Sequence, residues 1–157
     1  MSLAAELVAL ASKNKVTVTT AESCTGGMVA AAITDIPGSS AVFERGFVTY
    51  GNAAKVQMLG VSQATLDATG AVSEQIAREM AIGAAKDASA DIAVSITGIA
   101  GPGGSEFKPE GRVCFGLSVS GHVETETIEF GALGRGNVRI AARDHALSML
   151  HRALQKA

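Results

Sequence analysis

The fold prediction starts from residues 37–55, PGSSAVFERGFVTYGNAAK. This stretch opens with a Pro-Gly dipeptide typical of turns, and two serines follow. The β-branched and aromatic residues between Val42 and Tyr50 predict a strand. A Gly-Asn pair ends that strand, and Asn52 is predicted to cap a short helix that begins at Ala53. The stretch therefore offers a hydroxyl at one end of a predicted strand, and a phenol and an amine at the other.

On both sides of this stretch, the hydrophobic spacing predicts alternating helices and strands. Five strands and about five helices, ending in a hairpin, predict an α/β fold: a single-domain layered α/β/α sandwich with a mixed β-sheet over residues 1–157. Three predicted helices run from Leu3 to about Lys15, from Met28 to Thr34 and from Ala53 to Val61. Two more follow the predicted caps Ser62 and Ser73, and the last begins near Gly136-Asn137. The other predicted strands are residues 16–20, 91–97, 112–120 and 123–130. Inward stripes are predicted at Ile76, Met80 and Ala84, and at Ile140, Leu147, Leu150 and Leu154.

The composition excludes several classes of protein. A net charge of −2 with no stripe of Lys and Arg argues against nucleic acid as a partner. No apolar run approaches the roughly 18 residues that span a bilayer, and the first residues lack the basic segment of a secretory signal. Cys24 and Cys114 lie far apart in the chain. Two reduced thiols and a cytoplasmic location are therefore expected, with no membrane partner.

The polar and glycine-rich motifs follow predicted strands, which indicates a single pocket beyond the strand ends. Residues 21–27, AESCTGG, connect a strand to a helix, and such a unit can present backbone N–H groups to an anion at the helix start. Residues 97–104, TGIAGPGG, lack the Gly-Lys-Ser/Thr ending of a P-loop and the downstream acid of a dinucleotide fingerprint. Their N–H groups remain candidates for an oxyanion or phosphate cradle.

The residues alone leave the nucleophile open. A serine that follows Pro-Gly is usually a turn former, and Ser23 and Cys24 are rivals in the other turn. Cys24 precedes a predicted helix start, where the pKa of a thiol is lowered. None of the three histidines is close to it in sequence; they are His122, His145 and His151. A core or helix-face position is the better interpretation of those histidines.

Four blocks of the sequence together resemble the CinA C-terminal domain family. The blocks are residues 20–27, residues 37–40, residues 43–55 and residues 97–109, and the resemblance runs from about Leu3 to Leu154. The characterised activity of that family is nicotinamide-nucleotide amidase. The resemblance therefore implies hydrolysis of the carboxamide of nicotinamide mononucleotide. It is closest to the stand-alone form of the amidase, without the additional N-terminal domain, and a homo-oligomer is expected.

The resemblance also implies roles for individual residues. Ser40 matches the nucleophile, Lys55 the lysine of a Ser/Lys dyad and Tyr50 an assisting tyrosine. Arg135 matches a basic residue before the last helix that would pair with the phosphate, although the family's Gly-Asp-Arg is reduced here to Gly134-Arg135. No metal or cofactor is required. The remaining predicted substrate contacts are Ser23, Thr25, Gly26, Ser39, Thr97, Gly98, Gly101 and Gly103.

A Ser/Lys dyad sets a condition on Lys55. A lysine with the ordinary pKa of about 10.4 is almost wholly protonated at neutral pH and cannot accept a proton. Burial in an apolar pocket lowers the pKa, and the neighbouring Ala53, Ala54, Val56 and Met58 suit such a pocket. Two alternatives remain open at this stage: a nucleotide-binding module without catalysis, and an amidase that uses Cys24.

Overall fold

The computed structural model describes residues 1–105 and 107–156. The described chain alternates helices and strands before it ends in a hairpin and one long helix. In order, the elements are α1 (Leu3–Asn14), β1 (Val18–Glu22), α2 (Met28–Thr34), a 3-10 turn (Ser39–Ala41), β2 (Phe47–Val48), α3 (Asn52–Leu59), α4 (Gln63–Thr69), α5 (Glu74–Ala88), β3 (Ile92–Gly98), β4 (Arg112–Val119), β5 (His122–Glu129) and α6 (Arg135–Gln155).

The five strands form one mixed sheet in the order β2-β1-β3-β4-β5. The strands β2, β1 and β3 are parallel, whereas β4 and β5 are joined antiparallel. Helices α1, α2 and α6 pack on one face, and α3, α4 and α5 pack on the other. This arrangement confirms the predicted α/β/α sandwich. Because β1, β2 and β3 run in the same direction, their carboxyl ends meet at one edge of the sheet.

The helix faces are largely as the hydrophobic spacing predicts. Ile76, Met80 and Ala84 are fully buried between α5 and the sheet. Ile140 is the exception, because 43% of its surface is exposed. The buried stripe at that end of α6 runs through smaller side chains instead, namely Val138, Ala142 and Ala146.

Helices α3 and α5 make a backbone contact that only glycine permits. A Cβ at Gly83 would lie 1.9 Å from the carbonyl oxygen of Leu59. The close approach fixes α3 against α5, and α3 carries Lys55. None of the helices in the described ranges is long and apolar enough to cross a membrane.

The stretch from residue 37 to residue 55 differs most from its prediction. The predicted strand shrinks to Phe47–Val48, and Gly51 rather than Asn52 caps α3. Before β2, the chain passes the amino end of β1, where Val18 N donates to Val42 O at 2.8 Å and Val18 forms a bridge with Phe43. The chain then runs alongside β1 toward its carboxyl end. The two ends of the stretch therefore lie at opposite edges of the sheet.

Candidate active site

Ser23 and Lys55 meet at the carboxyl edge of the sheet. Ser23 follows directly after β1, and its N–H donates to Ile96 O of β3 at 2.9 Å. Lys55 lies in the first turn of α3, and only 1% of its surface is exposed. Its Nζ is 3.1 Å from Ser23 Oγ. The structure thus brings a buried amine to a serine hydroxyl that is 32 residues away in sequence.

Three oxygen atoms surround the Lys55 amine. Besides Ser23 Oγ, they are the carbonyl oxygens of Thr49 at 2.8 Å and Tyr50 at 3.1 Å. Carbonyl oxygens only accept hydrogen bonds, so they take two N–H groups of the amine. A neutral amine has two N–H groups and one lone pair. In the neutral state, the lone pair of Lys55 therefore faces the Ser23 hydroxyl.

Burial lowers the pKa of Lys55 from its ordinary value of 10.5. No carboxylate of the described residues forms an ion pair with the amine. A negatively charged Cys24 would oppose the lowering. Burial, however, raises the pKa of the Cys24 thiol to about 11, so that thiol carries no charge at neutral pH. Desolvation therefore dominates, and it favours the neutral amine.

Tyr50 contributes its backbone to the lysine and its side chain to an arginine. Its carbonyl oxygen accepts from Lys55 Nζ, and Ser23 Oγ lies 3.4 Å from the same oxygen. Its phenol oxygen accepts from Arg135 Nη2 at 2.7 Å. The assisting phenol predicted beside the lysine is thus directed at Arg135 in this structure. Arg135 also donates from Nη1 to Gly101 O at 2.7 Å, so it links three segments of the site edge.

Two oppositely charged side chains hold the turn from residue 23 to residue 27. The buried carboxylate of Glu22 accepts from the N–H groups of Gly27, Val29 and Ala30 at 3.2, 2.9 and 3.0 Å. These N–H groups lie at the start of α2. The sequence pattern predicted that they could bind an anion, but the Glu22 carboxylate already occupies them. From the opposite side, Arg139 donates to the carbonyl oxygens of Cys24 and Thr25.

The structure does not bring Ser40 to Lys55, which corrects the pairing expected from the family resemblance. Ser39 and Ser40 belong to the 3-10 turn beside the amino end of β1. Ser23 lies at the other end of that strand, and a strand of five residues spans about 16 Å. Ser39 is buried there, and Ser40 is exposed and makes no side-chain hydrogen bond with the described residues.

The glycine-rich loop after β3 has fewer available donors than its composition suggests. Thr97 Oγ1 donates to Ala71 O at 2.9 Å, and the Gly103 N–H donates to the carboxylate of Glu110. Gly98 is the last residue of β3 and is paired with Val113 of β4. Gly101 lies at the site edge through its contact with Arg135. Thr25 and Gly26 lie in the turn beside Ser23, where Thr25 is buried.

The rival thiol is poorly placed for catalysis. Cys24 is 4% exposed and belongs to the core cluster on the α6 side of the sheet. Its raised pKa keeps it as an unreactive thiol at neutral pH. The three histidines lie elsewhere: His145 and His151 contact Glu126 and Glu6 from α6, and His122 begins β5.

Sequence reasoning missed two residues that shape the site, Glu22 and Arg139. Glu22 is the last residue of a buried strand, and a carboxylate at that position needs donors. Arg139 follows Arg135 by four residues, which places both side chains on one face of α6. That spacing was the available signal for a second arginine at the site.

Comparisons with known proteins agree with this architecture. The family described as "CinA C-terminal domain" matches residues 1–154. A protein of Escherichia coli strain K12 named nicotinamide-nucleotide amidohydrolase PncC is 58% identical over 135 residues, which cover 85% of this chain and 82% of that protein. A protein of Enterobacter agglomerans with the same name is 58% identical over 127 residues, covering 80% and 77%.

Solved structures show the same likeness. The crystal structure of a competence-damaged protein (CinA) superfamily protein from Escherichia coli has a TM-score of 0.92 at 38% identity, covering 96% of this chain and 88% of that one. The competence/damage inducible protein CihA from Agrobacterium tumefaciens has a TM-score of 0.89 at 45% identity, covering 98% and 96%. With the family match over nearly the whole chain, these similarities show that the chain belongs to the CinA C-terminal domain family.

Proposed function

We propose that this chain hydrolyses the carboxamide of nicotinamide mononucleotide to nicotinic acid mononucleotide and ammonia, with Ser23 as nucleophile and Lys55 as base. The observation that carries the proposal is the 3.1 Å contact between the buried Lys55 amine and Ser23 Oγ. A non-catalytic nucleotide-binding module has no need for an uncompensated buried amine beside a hydroxyl. The names of the relatives with 58% identity support the choice of substrate.

The first half of the proposed reaction transfers the acyl group to the enzyme. Ser23 Oγ attacks the amide carbon while its proton moves to the lone pair of Lys55, and the carbonyl electron pair moves onto the oxygen. When the oxyanion collapses, the carbon–nitrogen bond breaks. Lys55 returns the proton to the departing nitrogen, which leaves as ammonia. The positive charge of the pyridinium ring withdraws electrons from the carbonyl and favours the attack.

The second half releases the acid. A water molecule gives a proton to Lys55 as its oxygen attacks the ester carbon, and the ester bond to Ser23 then breaks. Ser23 Oγ takes the proton back from Lys55, and the carboxylic acid product ionises. The same lysine thus acts as base and as acid in each half, and no redox step or further co-reactant is required.

Arg135 is proposed to bind the 5′-phosphate of the substrate. Its guanidinium donates two of its five N–H groups to Tyr50 Oη and Gly101 O and retains others for an anion. Helix α6 begins at Arg135, and no side chain caps its first turn. The positive end of the helix dipole therefore lies beside the guanidinium, and both favour a phosphate at this edge.

An assay of both products tests the proposal. The purified chain, incubated with nicotinamide mononucleotide, should release ammonia and nicotinic acid mononucleotide in equal amounts. Hydroxylamine should divert the acyl-enzyme to the hydroxamate without slowing the release of ammonia, because it competes with water only after the first step. Ammonia without any hydroxamate would argue against the covalent intermediate, and the absence of ammonia would remove the proposed activity altogether.

A nucleotide substrate and two unpaired thiols fit the expected cytoplasmic location, which stays a prediction. The expected homo-oligomer also stays a prediction. Light scattering coupled to size-exclusion chromatography would test it directly, since a monomer has a mass of 15.9 kDa.

A further inference from the structure

The turn after Ser23 contains two backbone N–H groups that donate to no other residue of the part of the chain that the structure describes. The Ser23 N–H donates to Ile96 O, and the Gly26 N–H donates to Ser23 O at 3.0 Å. Between them, the Thr25 N–H donates to no acceptor in residues 1–105 and 107–156, and the Cys24 N–H contacts only the sulfur of its own side chain. Both residues are buried. In buried residues, backbone N–H groups that bond to no other residue are rare, so two in succession beside a proposed nucleophile point to a ligand.

Arg139 fixes the direction in which one of these donors points. Its Nε donates to Cys24 O at 3.0 Å. In a trans peptide, the C=O and the following N–H point in opposite directions. The Thr25 N–H is therefore directed away from the guanidinium. A second contact, from Arg139 Nη2 to Thr25 O at 3.3 Å, holds the next peptide as well.

The arginine fits closely over the turn. A Cβ built on Gly26, whose φ is +57°, would lie 3.2 Å from Arg139 Nη2. On the other side of the turn, the Glu22 carboxylate holds the first N–H groups of α2. The peptide between Cys24 and Thr25 is thus held from α6, while the residues that follow it are held from β1. Charged donors and acceptors give the strong hydrogen bonds needed for such rigidity.

We propose that Arg139 is a positioning residue that holds the Cys24–Thr25 peptide so that the N–H groups of Cys24 and Thr25 form the oxyanion hole. The inference rests on the proposed function, with Ser23 as nucleophile. When Ser23 Oγ bonds to the amide carbon, the carbonyl electron pair moves onto the oxygen, and that oxygen accepts both N–H groups. An N–H of the residue after the nucleophile serves the same purpose in other strand–nucleophile–helix turns. The glycine-rich loop after β3 is not required for this step.

Three variants separate positioning from substrate binding. In Arg139→Ala, kcat for nicotinamide mononucleotide should fall about 100-fold while KM stays within threefold, because the donors act only on the transition state. Arg139→Lys should also be slow, since an ammonium cannot hold both carbonyl oxygens in the same geometry. Millimolar guanidinium should restore at least fivefold activity to Arg139→Ala. Arg143→Ala is the matched control, since Arg143 lies one turn further on α6 and pairs with Asp144; its kcat should stay within twofold.

A transition-state probe gives a second measurement that does not depend on turnover. The 3-formylpyridine analogue of the mononucleotide forms a hemiacetal with an attacking serine, and its former carbonyl oxygen occupies the oxyanion position. Its affinity should fall in Arg139→Ala by about the same factor as kcat/KM. Affinities measured on the folded fraction remain informative even if the variant is less stable.

Two results would overturn the inference. If KM rises with kcat unchanged, and the effect disappears for the phosphate-free riboside, Arg139 binds the phosphate. If kcat per folded molecule is unchanged and only the melting temperature falls, Arg139 is structural. Ser23→Ala in the same assay separates this inference from the proposed function: an active Ser23→Ala enzyme removes the dyad itself, whereas an inactive one leaves the Arg139 result to decide.

Discussion

Two turns at opposite ends of β1 each contain a serine, and only one of these serines contacts a buried amine. Each has a serine within three residues of a glycine and leads into a short helical segment. Ser23, at the carboxyl end, contacts a buried amine and follows a buried strand. Ser40, at the amino end, is exposed and is bonded through its side chain to none of the described residues. The difference lies in what the parallel sheet brings to each edge.

The comparison teaches that the edge of the sheet matters more than the local motif. Strands β1, β2 and β3 all end at the edge that holds Ser23, so the segments after each of them meet there. Thr49 and Tyr50 follow β2, and Gly101 follows β3. At the amino edge, the backbone hydrogen bonds around the 3-10 turn reach Val18 at the start of β1 and Ile36 after α2. A nucleophile there would lack the amine of Lys55 and the guanidinium of Arg135, which both lie at the other edge.

Replacing the two serines gives the most direct test of this comparison. Ser23→Ala should lower kcat for nicotinamide mononucleotide by about 10³-fold or more, because the covalent path is lost. Ser40→Ala should retain at least half of the wild-type activity, since an exposed turn serine makes no contact at the site. The measurement is ammonia release at saturating substrate. An inactive Ser40→Ala with an active Ser23→Ala would reverse the assignment.

The next largest effect should come from Lys55, whose proposed role as a base differs from that of a fixed cation. Lys55→Arg keeps a positive charge, but a guanidinium does not deprotonate in the accessible pH range. If Lys55 is the base, kcat/KM should fall at least about 100-fold, nearly as far as in Lys55→Ala. In the wild type, kcat/KM should rise with pH through a pKa below 10.5. Near-native turnover of Lys55→Arg would contradict the dyad.

Local features of the fold could be predicted from the sequence because their causes are local. Helix α2 spans Met28–Thr34 as its apolar run predicts, and Ser73 caps α5 by accepting from Ile76 N. The predicted strand between Val42 and Tyr50 was too long, because its polar centre Glu44-Arg45-Gly46 pairs with no neighbour along the ladder. The family and the α/β/α sandwich could both be predicted from the sequence.

The site could be predicted only in part, because its contacts are set by sheet pairing. Lys55 and Ser40 are 15 residues apart in the sequence, and the intervening chain carries them to opposite edges. Lys55 and Ser23 are further apart in sequence, yet the pairing of β1 with β2 brings them together. The role of Glu22 also depends on tertiary packing. The spacing of residues in the sequence does not show that the N–H groups of α2 will bind a carboxylate at the end of β1.

A smaller effect is expected for Arg135, which marks the outer limit of the site. Arg135→Ala should raise KM for nicotinamide mononucleotide about tenfold, because a charge-assisted contact with the phosphate is lost. For the phosphate-free riboside, KM should change less than twofold. Tyr50→Phe is the matched variant, since it removes the phenol that accepts from Arg135 without removing charge. Equal effects of Arg135→Ala on both substrates would make it structural.

The smallest expected effect concerns the free energy that it costs to bury Lys55. The turn at Ser40 is exposed and has no such cost. Folding lowers the pKa of Lys55 from 10.5, so between the lowered pKa and 10.5 the unfolded chain binds a proton that the native chain does not. The free energy of unfolding therefore rises with pH across that window, by up to about 1.4 kcal/mol per pH unit. Lys55→Met removes this term, and Gln57→Met on the same helix is the control that adds a methionine without removing a titrating group.

Urea denaturation of wild type and both variants, repeated from pH 7 to pH 10.5, isolates the part of the free energy of unfolding that depends on protonation of Lys55. The difference between wild type and Lys55→Met should shift in favour of the wild type as pH rises, whatever its value at pH 7, because the hydrogen bonds lost from Thr49 O and Tyr50 O do not titrate. The difference between wild type and Gln57→Met should stay constant. A constant difference for Lys55→Met would mean that the buried amine keeps its ordinary proton affinity, and a base with that affinity is too rarely neutral at pH 7 to serve Ser23.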